Sequence, residues 1–460
     1  MNRASELPES PGSGLALFTD LYQLTTGQSY FCERMHEPAT FSLFVRHLPP
    51  NWGYLVAAGL DDVLSYLESL AFEPHDLAYL RQTGRFADDY LDFLAQLRFT
   101  GAVRALSEGT LFFPHEPVVE VTAPVIEAQL VETFIVNQVH FQSIIATKAA
   151  RCVEAAPGRT VVDFSLRRTH GTDAGMKVAR ASYLSGCQST SNVLAGARYG
   201  IPIAGTMAHS YIQSFPDELS AFRAYARAYP DACLLLIDTY DTVAGARRAA
   251  IVGRELAAAG HRLRGVRLDS GDMAALSREV RRILDEAGLA DALIFASGGL
   301  DEHEMAQLLA AGAPIDAFGV GSKLGVSADA PYLDMAYKLV AYAGTPRLKL
   351  SAAKATWPDR KQVWRRVESE RFREDVIALA DEPGPAGALP LLQQVMRDGR
   401  RLHRESLDEA RRRALAQRAA LPAEVRRITQ PARYPVAFSA ALQALRASVA
   451  AQAGGLAEQR

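Results

Sequence analysis

A chain of 460 residues, 48% hydrophobic and 22% charged, is long enough for two or three domains with sizeable cores. Its 50 basic and 52 acidic residues give a formal charge of -2, which excludes a global field for holding nucleic acid or an anionic membrane surface. Cys32, Cys152, Cys187 and Cys233 are scattered without metal-ligand spacing, and no apolar run is long enough to span a bilayer. Disulfides, structural zinc and a membrane span are therefore not expected, and a cytoplasmic protein is.

Residues 1–14 are polar and rich in Pro, Gly and Ser, and read as a flexible leader. Residues 15–145 read as an α+β domain: a helix around LFTDLYQLTTGQSYF, an alternating strand TFSLFVRHLP, a helix around LDDVLSYLESL, and a strand pair near GTLFFPHEPVVEVTAP. Residues 341–460 are expected to complete that domain with a strand in KLVAYAGTPRLKLS and the segment KATWPDRKQVWR, followed by a helical Arg/Ala-rich tail. The basic stretch from Arg397 to Arg413 is interrupted by acids at helical spacing, which predicts a solvated helix face rather than a nucleic-acid site.

Between them, residues 146–340 alternate β-rich runs with helix-period segments, the pattern of βα units around a parallel sheet. Six runs stand out: TVVDFSLRR, IPIAGTMAHS, ACLLLIDTYD, RLRGVRLDSGD, ALIFASGGL and IDAFGVGSKLG. Met273, Leu276, Val280, Ile283, Leu284 and Ala287 predict an amphipathic helix closing near Gly288, and Asp301 with Glu304 predicts a capping box. Periodicity does not separate a barrel from an open sheet, and what helps is the placement of polar groups. Each run puts its apolar part first and its reactive groups last: Arg167, His209, Asp238, Arg267 with Asp269, Gly298 with Gly299, Gly321 with Ser322. An α/β barrel with its site at the strand C-termini predicts that distribution.

GVRLDSGD offers Arg267 for an anion, Asp269 and Asp272 for sugar hydroxyls or a divalent metal, and Ser270 with Gly271 for backbone contact to phosphate; the alternative is a capped βα loop with a surface ion pair. His209, beside Thr206 and Ser210, suits acid, base or nucleophile, although a histidine there is also often a core residue. In DFSLRRTHG, Phe164 precedes adjacent Arg167 and Arg168, of which an extended strand would aim at most one at the site. The glycines of SGGL and of GVGS, Gly319 and Gly321, suit close approach of backbone to phosphate.

These residues, with TDLYQLT around Tyr22, FVRHLP, EGTLFFPHEP, EAQLVETFIVNQVHFQSIIATKAAR, FSLRR, STSNVLAG, GIPIAGTMAHS, GVRLDSGD, FGVGSKL and KATWPDRKQVWR, occur in the order found in nicotinate phosphoribosyltransferases, and the chain resembles that family over about residues 15–370. The resemblance implies an irregular α/β barrel joined to an α+β domain, and a homodimer with interfacial active sites. It implies nicotinate, phosphoribosyl pyrophosphate and ATP as substrates, and Mg2+ as cofactor. His209 matches the histidine that ATP phosphorylates. Tyr22, from the partner subunit, and Phe164 match the pair that sandwiches the pyridine ring. Arg167, Arg267 and Asp269 match residues that bind nicotinate and the phosphoribosyl group, Thr206 and Ser210 flank the histidine, and Gly298, Gly299, Gly321 and Ser322 match the phosphate loops.

The chain departs from the family pattern at Ser165, where glycine is expected, at His170, where glutamine is usual, and at Ser322, where threonine is frequent. The related nicotinamide enzyme carries an aspartate where this chain has Ser191. A serine donates to a carboxylate and an aspartate repels it, so the acid is expected over the amide. The alternatives are the nicotinamide enzyme or another phosphate-binding barrel enzyme. An aldolase would want a strand-end lysine, for which Lys323 is the candidate.

Overall fold

The structure, a computed structural model, describes residues 14–350 and 356–458. All of the expected leader but Gly14, and Lys354 and Ala355 of KATWPDRKQVWR, lie outside the described residues. The chain divides into two compact units, one of residues 1–144 and 332–460, the other Ile145–Pro331.

The first unit draws one seven-stranded sheet from both ends of the chain. The strand Pro38–Val45 lies antiparallel between Val119–Pro124 and Met335–Tyr342, and Ala102–Leu106 and Leu392–Arg397 extend the sheet. Seven of the eight residues of Pro38–Val45 are buried, as a central strand covered on both faces requires. Met335–Tyr342 belongs to this sheet, although its first residues fall before 340. The expected pair in GTLFFPHEPVVEVTAP separates: Leu111–Phe112 pairs with Leu55–Val56, while Val119–Pro124 joins the large sheet. A four-stranded sheet holds Lys361–Glu368 and Arg371–Leu379. The basic stretch is helical only from Leu407. Arg397 and Arg400–Arg401 pair across a hairpin, because Asp398 and Gly399 take positive φ and turn the chain.

The second unit is a curled parallel sheet whose strand order follows the chain around a circle. Thr160–Asp163, Ser189–Thr190, a single bridge at Ile203, Leu234–Leu236, Gly265–Leu268, Leu293–Ala296 and Ala317–Val320 succeed one another, and the last pairs with the first. The step from Ile203 to Leu234 carries no strand pairing, so the barrel is open there. Ala204 and Leu234, from the two sides of that opening, pack on the same interior cluster of Val162, Phe295 and Ala317. Five of the six expected runs form strands. IPIAGTMAHS contributes only a bridge, since Pro202 has no N–H for a ladder, and Ser189–Thr190 of STSNVLAG takes the sheet position. Between strands, the helix Met273–Glu286 buries Met273, Val280, Ile283 and Leu284, and the helix from Glu302 opens on the expected capping box of Asp301 and Glu304. No helix among the described residues is long and apolar enough to cross a membrane.

Candidate active site

The C-terminal ends of these parallel strands surround a cavity of about 380 Å³ lined by Phe164, Leu166, Arg167, Ser191, Gly205, Thr206, Met207, Ala208, His209, Leu236, Arg267 and Asp269. Its size falls in the range of small-ligand sites. A larger cavity, about 520 Å³, lies in the first unit among Arg46, Trp52, His115 and Tyr434 and contains none of these strand-end groups.

Arg267 is the hub. It leaves the strand Gly265–Leu268 half-buried, and its guanidinium donates from Nε to Ser297 Oγ at 2.7 Å, from Nη1 to Thr206 Oγ1 at 3.2 Å and from Nη2 to Asp269 Oδ1 at 2.7 Å. The same guanidinium lies 5.5 Å from the centre of the Phe164 ring, within cation–π reach. Ser297 Oγ also donates to Asp269 Oδ1 at 2.5 Å. Partial burial opposes ionisation of Asp269, but the Ser297 hydroxyl, the Arg267 guanidinium and His209 together hold its carboxyl below the usual carboxylate range. Its Oδ2 faces His209 Nε2 at 3.8 Å, and His209 Nδ1 lies 3.1 Å from Thr239 Oγ1. The imidazole is thus oriented from both sides.

Phe164 stacks on Phe295 with ring centres 5.5 Å apart. Gly319 lies beneath it within its strand, where an added Cβ would come 2.6 Å from the ring, so this glycine makes room for Phe164. Beyond Asp163 the chain leaves the sheet and Leu166–Arg168 forms a single tight turn, so strand alternation does not sort the two arginines. The turn puts Arg167 on the cavity and leaves Arg168 exposed outside its lining. That turn is anchored by Asp163, whose buried carboxylate accepts from Ser165 N at 2.9 Å, Ser165 Oγ at 2.5 Å and Thr190 Oγ1 at 2.8 Å. Burial raises the Asp163 carboxyl above its ordinary pKa, against these hydrogen bonds. Ser165, unusual for the family pattern, is therefore a structural donor; His170 is exposed. Ser191 N donates to the Asp163 carbonyl oxygen at 2.8 Å, which carries Ser191 to the cavity wall.

The remaining expected residues are not part of its lining. Asp238 Oδ2 accepts from Asp269 N at 3.1 Å and Ser270 Oγ at 2.6 Å and so shapes the Asp269 turn. Asp272 caps the next helix by accepting from Ala275 N at 3.0 Å. Gly298 and Gly299 take φ of 95° and 69°, and a Cβ on Gly298 would sit 1.9 Å from Asp269 O, so only glycine permits this approach. Gly321 and Ser322 follow the strand Ala317–Val320 at the same end of the sheet, and Ser210 is exposed. Tyr22 lies in the first unit, half-exposed, its hydroxyl donating to Glu132 at 3.0 Å. Lys323 is held by Glu304 at 2.6 Å and Asp301 at 3.3 Å, which denies it the free amine of a Schiff-base lysine. Sequence reasoning does not reach Ser297 and Thr239. Ser297 obeys the strand-end rule, one place before Gly298; Thr239 follows Asp238 in the same way. Among the described residues no group of three or more His, Cys, Asp or Glu is placed to hold a metal ion.

A curled parallel α/β barrel, with Arg167, Arg267, His209, Asp269 and Phe164 lining one cavity at the strand C-termini, defines a barrel protein whose site has the cations and aromatic face that suit a flat, anionic ligand. Family models described as the nicotinate phosphoribosyltransferase N-terminal domain, family and C-terminal domain match residues 17–140, 160–352 and 385–446. The nicotinate phosphoribosyltransferase of Mycobacterium tuberculosis is 53% identical over 429 residues, covering 92% of this chain and 91% of that protein, and the human one is 32% identical, covering 96% and 98%. The crystal structure of the human enzyme superposes with a TM-score of 0.84 over 94% of this chain and 99% of that one. A nicotinate-nucleotide pyrophosphorylase from Pyrococcus furiosus superposes with a TM-score of 0.73 at 26% identity, over 91% and 99%. The chain belongs to the nicotinate phosphoribosyltransferase family.

Proposed function

We propose that this protein joins nicotinate to the phosphoribosyl group of phosphoribosyl pyrophosphate, forming nicotinate mononucleotide and pyrophosphate in NAD biosynthesis, and that ATP drives the reaction through a phosphohistidine at His209. The observation that carries the reading is the convergence of Phe164, Arg267, Asp269 and His209 on one cavity. Phe164 offers a face to the pyridine ring. Arg267, Arg167 and Ser191 offer donors to the nicotinate carboxylate and the sugar phosphate. The pyridine nitrogen attacks C1 of the ribose as the bond from C1 to the pyrophosphate oxygen breaks, and the anionic Asp269 stabilises the positive charge that develops there. In the ATP step the γ-phosphoryl group passes to an imidazole nitrogen and ADP leaves. Asp269 and Thr239 hold the ring for that transfer.

Mg2+ normally binds through one or two carboxylates together with substrate phosphates. Asp272 gives Oδ1 to its helix and Asp269 gives Oδ1 to Arg267 and Ser297, so Asp269 Oδ2, Asp272 Oδ2 and the buried Asp238 Oδ1 are oxygens that would fit such an ion. When bound, it would neutralise the pyrophosphate. The assembly we propose is a homodimer in which Tyr22 of a second copy covers the pyridine ring, in the cytoplasm.

The test is product formation by the purified protein from nicotinate or nicotinamide with phosphoribosyl pyrophosphate and Mg2+, with and without ATP. Nicotinate mononucleotide is expected, with ATP hydrolysis stimulated by phosphoribosyl pyrophosphate. Product from nicotinamide alone would refute the acid assignment, and ATP coupling undiminished in His209→Ala would refute the phosphohistidine.

A further inference from the structure

Beneath the two glycine turns lies a cluster of charges that the chemistry above does not use. Lys148 and Arg151, three residues apart on one face of their helix, are almost completely buried. Glu302, equally buried, accepts from Lys148 Nζ at 2.5 Å and from Arg151 Nε at 2.9 Å. Lys148 Nζ reaches a second carboxylate, Asp329, at 2.6 Å. The two cations and two carboxylates balance.

The positions of these partners in the chain give the cluster its meaning. Glu302 follows the Gly298–Gly299 turn by three residues, and Asp329 follows Ser322 by seven, so one lysine joins the segments after both turns. Nearer the surface Lys323 repeats the connection in reverse. It stands directly after Ser322 and pairs with Asp301 and Glu304, which open the helix after Gly298–Gly299. Gly298, Gly299 and Gly321 have no side chains through which to hold the turns, so the anchoring comes from the residues that follow them. A buried ion cluster is weak evidence for stability, because well-packed apolar residues would serve as well, whereas its directional bonds specify a geometry.

The geometry points to Lys148, Arg151, Glu302 and Lys323 as positioning residues that set the spacing between the Gly298–Gly299 and Gly321–Ser322 turns, and so the affinity for the phosphorylated sugar. This inference rests on the phosphoribosyl reading of the site.

The test separates the two substrates. Lys148→Met is expected to raise KM for phosphoribosyl pyrophosphate at least tenfold while KM for nicotinate changes less than twofold, and Lys148→Arg to recover part of the loss. Lys323→Met, at a partly exposed position, is expected to raise the same KM about fivefold. It decides the matter alone if Lys148→Met does not fold. An unchanged KM for phosphoribosyl pyrophosphate in folded Lys323→Met, or an equal rise in both KM values, overturns the inference. Calorimetric titration of each protein with phosphoribosyl pyrophosphate alone distinguishes the failures. If the wild type binds it and makes no product with nicotinate, the functional reading has failed; if the wild type and Lys323→Met bind it equally, the positioning role has failed.

Discussion

Asp269 turns one carboxylate oxygen to His209 Nε2, 3.8 Å away, and gives the other to Arg267 and Ser297. The pair links the group that would carry a phosphoryl with the group that would face the ribose. Asp269→Asn keeps the shape and removes the charge. It is expected to lower kcat about 10²-fold, the scale of losing one preorganised electrostatic group, and to weaken ATP coupling in parallel. Steady-state kinetics with both readouts checks this; a loss confined to KM would show that Asp269 binds without assisting either step.

The pH dependence of stability follows from the same carboxylate. Its folded-state pKa is depressed, so its contribution is fully present above the unfolded value near 3.8 and is lost only as pH falls through the lower folded value. Asp163 acts oppositely. Its pKa is raised, so ionising it costs stability as pH climbs from 3.8 through the folded value. Unfolding in urea between pH 3 and 6 is expected to show Asp269→Asn losing its deficit relative to wild type only at the acid end. A deficit that disappears above pH 4 would contradict the sign.

Gly298→Ala introduces a methyl where Asp269 O already lies, at a φ that L side chains rarely adopt. The expected cost is about 1–3 kcal/mol of strain, relieved by moving the turn away from Asp269. Crystallography of the variant and KM for phosphoribosyl pyrophosphate would register that shift. A variant with unchanged KM would show that the turn does not meet the sugar phosphate.

Ser191→Asp places a carboxylate on the cavity wall beside Arg267 and Arg167. Repulsion of the nicotinate carboxylate is expected to lower kcat/KM for nicotinate about 10²-fold, of order 3 kcal/mol, while nicotinamide gains. Parallel assays of both acceptors measure the ratio. An unchanged ratio would remove Ser191 from the basis of selection.

The repeated order of apolar run followed by polar terminus made the barrel and most of its rim readable, because burying a parallel strand demands continuous hydrophobes and leaves chemistry to its end. That rule reached Arg167, His209, Arg267 and Asp269, and with Ser297 it had one more residue to offer. It predicted a strand in IPIAGTMAHS, where Pro202 withholds a ladder donor, and it gave no sign that Gly319 would lie under Phe164.

The sequence by itself determined the alternation of strands and helices, the side of the sheet on which chemistry would gather and, through ordered motifs, the family. These are local patterns, written in neighbouring residues. Tertiary structure alone decided which groups touch. Arg267 meets Thr206 across 61 positions, and His209 meets Thr239 across 30, as does Arg267 Ser297. It also selected Arg167 over Arg168 at the cavity, through a tight turn that no alternation rule anticipates. Distances between side chains from different strands depend on how the sheet curls, and that curvature is a property of the whole packed barrel.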